Sequence, residues 1–211
     1  MALGSDLVAV VEQRLDLAPV SSGIVVENEL LHTLRLVGSS LDTGGSVSDS
    51  IVASGFALRR KDRLLLTPSG RVAAEEAARL PVGGEDEAAA RRVYEGFLPL
   101  NIEFLRACTE WQVHPGGAAN DHTDSVYDWA VIDRVVAIVE RVEVPVSRLG
   151  RSVERFSGYK KRMSDALKRV ENGEHDWLVS PRIDSVHTVW MQLHEDLLLA
   201  LGIARGEEAG A

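Results

Sequence analysis

The chain has 211 residues, 45% of them apolar and 26% charged, with a net charge of -9 and one cysteine. This suits one large or two small domains with a substantial core. It excludes an internal disulfide, a zinc site built on cysteines, and nucleic-acid binding through the overall field of the molecule.

No apolar run reaches the roughly 20 residues of a membrane span, and Met1-Ala-Leu-Gly-Ser-Asp6 lacks the basic start and apolar core of a signal peptide. A cytoplasmic protein with no membrane partner is expected. Residues 5 to 16 read as a first helix, with Ser5 or Asp6 as cap and Leu7, Val8, Val11 and Leu15 on one face. Glu27 to Val37 reads as a second, with Leu30, Leu31, Leu34 and Val37 at helical spacing and Gly38 as terminator. The Ser- and Gly-rich stretch 39 to 54 is too short for two full helices, but Ser46 to Ala53 can make one stub. In the stretch from Gly55 to Arg71, Phe56, Leu58, Leu64 and Leu66 supply the apolar positions of two short strands. Arg60-Lys61-Asp62-Arg63 is the turn between them. Thr67 then caps a helix whose first residue is Pro68, which gives up an amide that had no partner anyway. That helix stops at Pro81.

The order Gly55-Phe-Ala-Leu-Arg59, basic turn, Leu66-Thr-Pro-Ser-Gly-Arg71 resembles the wing and following helix of winged-helix regulators of the MarR type. The resemblance implies a mainly α protein, an N-terminal winged helix over residues 1–82 and binding to double-stranded DNA. It also implies a homodimer. The DNA contacts expected are Ser46, Ser48 and Ser50 on the stub, standing where a recognition helix would be, and Arg59, Arg60, Lys61 and Arg63 on the wing. The stub carries no Arg, Lys, Asn or Gln, the side chains that most often read base edges. By charge pattern alone the basic run is also a solvated turn.

Pro81-Val-Gly-Gly-Glu-Asp-Glu87 reads as a linker, and residues 88–211 as an all-α domain. Tyr94, Phe97, Leu98, Phe104, Leu105, Cys108 and Trp111 form one apolar stripe, with Asn101 on it and a kink expected at Pro99. Cys108 among these residues is a small core side chain rather than a nucleophile. After a loop at 114–119, Asn120-Asp-His-Thr-Asp124 leads into a helix with Val126, Trp129, Val136 and Val139 inward. Helices past Pro145 are expected to end at Gly158 and Gly173, and the segment from Arg151 to Arg169 is basic. Ser180 and Pro181 open the last helix, which closes at Gly202. Its Val186, Trp190, Leu193, Leu197 and Leu201 define an inward arc that includes His187 and His194.

Two histidines seven residues apart lie about 10 Å apart along the axis, poor spacing for one metal ion. No metal site and no cofactor are expected. Asn101, Asp121, His122, Asp124, Trp129, His187, Trp190 and His194 could instead line a ligand pocket or form a polar network inside the bundle. No phosphate-binding glycine motif, nucleophile elbow or His-Glu-x-x-His is present, so no catalytic residues are assigned and an enzyme is not expected. Phe97-Leu-Pro-Leu-Asn101, Cys108-Thr-Glu-Trp-Gln112, Asn120 to Asp124, Arg155-Phe-Ser-Gly-Tyr159, and Asp184 to Trp190 with Leu193 to Leu198 also resemble an actinobacterial family that joins a MarR-like winged helix to such a helical domain. Relatives of this segment accompany pyruvate, phosphate dikinase-like proteins. The expected function is a DNA-binding transcriptional regulator whose helical domain senses a small-molecule effector or protein partner. The alternative is an accessory module that does not bind DNA and serves a partner, such as a phosphoenolpyruvate-using enzyme.

Overall fold

The computed structural model describes residues 21–207; the helix expected over residues 5 to 16 lies outside them. The protein is mainly helical, with one small three-stranded antiparallel sheet. It forms two compact units, one ending at Arg79 and one beginning at Leu80. Leu80 belongs to the second because its amide donates to the Ala200 carbonyl at 2.9 Å. No described helix is long and apolar enough to cross a membrane.

The first unit runs helix α1 (Ser21–Val37), strand β1 (Ser40–Leu41), helix α2 (Ser46–Ala53), strands β2 (Ala57–Arg60) and β3 (Arg63–Leu66), and helix α3 (Pro68–Ala78). The strands lie in the order β1-β3-β2. One helix, not two, connects β1 to β2, as the short stretch requires. Val26, Leu30, Leu31 and Leu34 bury one face of α1 against Val47, Ile51, Leu64 and Ala74. Val37, expected on that face, is 45% exposed. Glycines at left-handed φ end both α1 and α2, at Gly38 and Gly55. After α2, the Phe56 amide returns to the Ile51 carbonyl and that of Gly55 to Val52, satisfying the last carbonyls.

Thr67 accepts a hydrogen bond from the Gly70 amide at 3.0 Å and donates to the Gly55 carbonyl at 2.7 Å. The same hydroxyl therefore caps α3 and fixes the helix to the end of α2. Gly70 is required by close approach, since a Cβ there would sit 1.8 Å from the Phe56 carbonyl oxygen. Leu58 departs from expectation. Ala57 takes the buried position in β2, and strand alternation turns Leu58 outward, 45% exposed.

The second unit consists of α4 (Glu85–Gln112), α5 (Ser125–Leu149), a 3-10 turn (Glu154–Phe156), α6 (Tyr159–Glu171), the short α7 (Asp176–Val179) and α8 (Val186–Leu201). Helix α4 packs on α5 and α8, and α6 packs on α5, α7 and α8. Both internal prolines are carried within continuous helices: α4 runs through Pro99 and α5 through Pro145. An internal proline costs about 3 kcal/mol. Around Pro145, the buried Val142, Val146 and Leu149 keep the helix seated and offset that cost.

The real end of α5 is Gly150, where a Cβ would meet Ser157 Cα at 2.7 Å as the chain doubles back. Gly158 is not a left-handed terminator; with φ -80° it is the N-cap residue of α6. Gly173 and Gly202 do take positive φ where α6 and α8 end. Helix α8 starts later than expected, because the Ser185 hydroxyl, not Ser180, accepts from the Thr188 amide. From Leu193 to Ala200 every residue of α8 is buried, so the helix is surrounded on all sides rather than on one stripe.

Candidate functional site

On the hairpin, the four expected cations divide. Arg59 is held in ion pairs with Asp42 and Asp49 and is also 3.3 Å from the Ser48 hydroxyl. Partial burial pushes the Asp42 carboxyl up, but the Arg59 and Gly44 hydrogen bonds outweigh it and hold the group below its ordinary range. Arg63 donates to the Ser39 hydroxyl and carbonyl at 2.9 and 3.0 Å. Arg60 and Lys61 are exposed at the tip, with Lys61 at φ 56° in the two-residue turn.

The stub shows little to a nucleic acid. Ser48 is 2% exposed and donates to the Gly45 carbonyl, and Ser50 donates to Glu27 at 2.5 Å. Ser46 and Asp49 are what α2 exposes in its first turn. All three serines are expected as DNA contacts; Ser48 instead follows Val47 and Ile51 into the core.

In the helical unit, the eight residues expected around one pocket do not converge. Trp190 is fully buried between Phe97 and Phe104, ring centroids 4.7 and 4.4 Å away, and its indole N–H donates to Asn101 Oδ1 at 2.9 Å. His194 packs at 5.1 Å from Phe97, and His187 at 6.1 Å from Phe104. Asn101, His187, Trp190 and His194 therefore meet Phe97 and Phe104 along one seam between α4 and α8. Asp124 caps α5, accepting from the Val126 and Tyr127 amides, and Asp121 accepts from the Thr123 amide and hydroxyl. Trp129 is 47% exposed and Val126 79%. Val139 is buried as expected and Val136 packs partly on the core, but at the start of α5 the buried face is set by Asp128, Val131, Ile132 and Val135, one step round the helix. A cleft of about 530 Å³ does lie in this unit, lined by Ser147, Arg151, Lys160, Lys161, Ser164 and Lys168 among others, away from the histidine seam. Its lysines are paired, Lys160 with Glu143 and Lys161 and Lys168 with Asp165. Burial pushes the Cys108 thiol up to about 12, consistent with a core side chain.

Burial lowers the His187 value below its ordinary 6.5. The unfolded chain then takes up a proton before the folded one does. The histidine's contribution to stability is complete above about pH 6.5 and declines as pH falls below it. His187→Leu should flatten the loss of stability on the acid side of pH 6.5, read from denaturant midpoints followed by tryptophan fluorescence. An unchanged pH dependence would remove His187 from the titration.

A tighter constellation forms where the loop 120–124 meets the end of α4 and the start of α7. His122 Nδ1 lies 3.1 and 3.2 Å from the two carboxylate oxygens of Asp128, a residue only 4% exposed. Asn120 holds that carboxylate, donating to Asp128 Oδ1 at 2.8 Å and to the Trp111 carbonyl at 3.0 Å. Its own Oδ1 accepts from the His122 amide at 3.1 Å, which fixes His122 at a left-handed φ of 58°. Trp111 supports both rings, 4.3 Å from His122 and edge-on 5.3 Å from His175. One ligand atom each from His122, Asp128 and His175 lies within 4.8 Å of the others. Of the residues singled out in sequence, His122 alone belongs to this triad. His175 follows 53 positions later, and no local spacing links the two. Comparison with protein-family models, with characterised proteins and with solved structures finds no match for the chain.

Proposed function

We propose that this protein is a cytoplasmic, homodimeric transcriptional regulator of winged-helix type. In this reading the hairpin unit holds duplex DNA by its phosphates, and the helical unit senses a small molecule or protein partner. The observation that carries it is the hairpin tip, where Arg60 stands directly opposite Arg63 across the ladder with Lys61 in the turn. Like charges in that register are unfavourable in an isolated hairpin, and a polyanion relieves them. Residues 21–79 carry seven acidic and seven basic side chains, so the attraction is local. With Ser48 and Ser50 bonded internally and Asp49 outward, the contact is to backbone phosphates with little base readout.

Fluorescence anisotropy with duplex DNA across a range of salt concentrations tests this. Replacing Arg60 and Lys61 together by alanine should weaken binding to all sequences alike and reduce the log-log salt slope by about 2, one phosphate per cation. An unchanged slope would take the hairpin out of the account. A second reading, a module that docks a protein rather than DNA, is favoured by the exposed Asp49 and the internally used serines. Absence of any DNA binding at low salt would leave that reading standing.

A further inference from the structure

We infer that His122, Asp128 and His175 form a binding site for a divalent transition-metal ion of the zinc type. Three carboxylates are buried among the described residues, Asp128, Glu195 and Asp196. Glu195 pairs with Arg205 and Asp196 with Arg155, whereas Asp128 has an amide and an imidazole as its neighbours and no guanidinium or ammonium. A buried carboxylate requires a compensating positive charge. A cation held between His122 and Asp128 supplies that charge.

Ligands bound at about 2.0 to 2.2 Å from one zinc ion stand roughly 3.3 to 3.6 Å apart in a tetrahedron. The 3.1 Å between His122 Nδ1 and Asp128 Oδ2 is already close to that, and a His175 ring nitrogen lies within 4.8 Å of a ligand atom of each. His175 is exposed, with its ring edge-on to Trp111. A bound ion would take one lone pair from each imidazole and one from the carboxylate, the forms of these side chains that ligate metals. The Asn120 amide nitrogen bridges the two side chains, 2.8 Å from Asp128 Oδ1 and 3.2 Å from His122 Nδ1, and orients them as outer-shell partners do. Two imidazoles and a carboxylate select zinc, cobalt or nickel over magnesium or calcium. Three protein ligands leave a fourth position for water or a small ligand. The inference is independent of whether the hairpin touches DNA.

The test uses the full chain, stripped with a chelator and titrated with Co²⁺, then Zn²⁺. One Co²⁺ per chain should bind with the visible absorption of a four-coordinate site, and one equivalent of Zn²⁺ should abolish it. His175→Ala, a change at an exposed position, should weaken Co²⁺ binding at least tenfold. Asn120→Ala should weaken it by about 10- to 100-fold, while His32→Gln in the other unit should leave it unchanged. Absence of stoichiometric binding, or equal binding by His175→Ala and the parent protein, would overturn the site.

Discussion

Replacing Trp190 by alanine should destabilise the helical unit by about 3–5 kcal/mol, the range for removing a fully buried tryptophan and leaving a cavity. Its ring has no exposed surface and lies between Phe97 and Phe104, so no side chain can swing in from solvent to fill the space. Trp190→Phe keeps most of the stack but strands Asn101 Oδ1, which is half-buried and reachable by water, so about 1 kcal/mol is expected. The measurement is well defined because all four tryptophans and all three tyrosines lie beyond residue 80. Intrinsic fluorescence in a urea titration therefore reports the helical unit alone, with Trp111, Trp129 and Trp177 as remaining probes in the variant. A shift below about 1 kcal/mol for the alanine variant would mean that the α4–α8 seam is not closely packed.

The parts of this architecture that could be read from the sequence are those decided by neighbouring residues. Thr67 and Pro68 set the start of α3 because the capping hydroxyl and the dispensable amide are adjacent in the chain. Asp124 at the start of α5 and Gly202 at the end of α8 follow from the same local chemistry. Where tertiary packing chooses among local options, neighbouring residues do not decide the outcome. Val126 and Trp129 are apolar at plausible helical positions, yet the inward face of α5 follows Val131, Ile132 and Val135, set by what α4 offers opposite. Pro145 looked like a break, but burial of Val142 and Val146 on either side keeps the helix intact. The histidine seam was legible from the period of α8, since His187, Trp190 and His194 share an arc. The His122–Asp128–His175 cluster was not, because a loop, a helix and a distant turn supply its three members. The available signals were an Asn-Asp-His loop entering a helix and a carboxylate four residues past the Asp124 cap, on the helix face that turns inward. Neither specifies a partner 53 residues away.

The second large effect is expected at Arg155. Asp196 is completely buried on α8 and accepts from Arg155 Nε at 2.8 Å and from the Tyr159 hydroxyl at 3.1 Å. These partners come from the 3-10 turn and from the first residue of α6. One carboxylate thus gathers the whole connection between α5 and α6 onto the central helix. Burial, with the Asp196 charge beside it, pushes the Tyr159 phenol well above its ordinary range, so it remains a donor at any working pH. Arg155→Ala removes the ion pair's cation but leaves the anion inside. Loss of one partner of a buried pair costs about 3–5 kcal/mol. Tyr159→Phe removes one neutral donor and leaves the guanidinium, so its cost should be nearer 1 to 2 kcal/mol. The informative variant is the double change Arg155→Met with Asp196→Leu, which replaces both charges by apolar groups of similar reach. If the large cost of Arg155→Ala comes from a stranded charge, the double variant should recover most of the lost stability in the same fluorescence-monitored unfolding. If it stays as unstable as Arg155→Ala, the connection is held by the directional hydrogen bonds from Arg155 and Tyr159, which packing alone cannot replace.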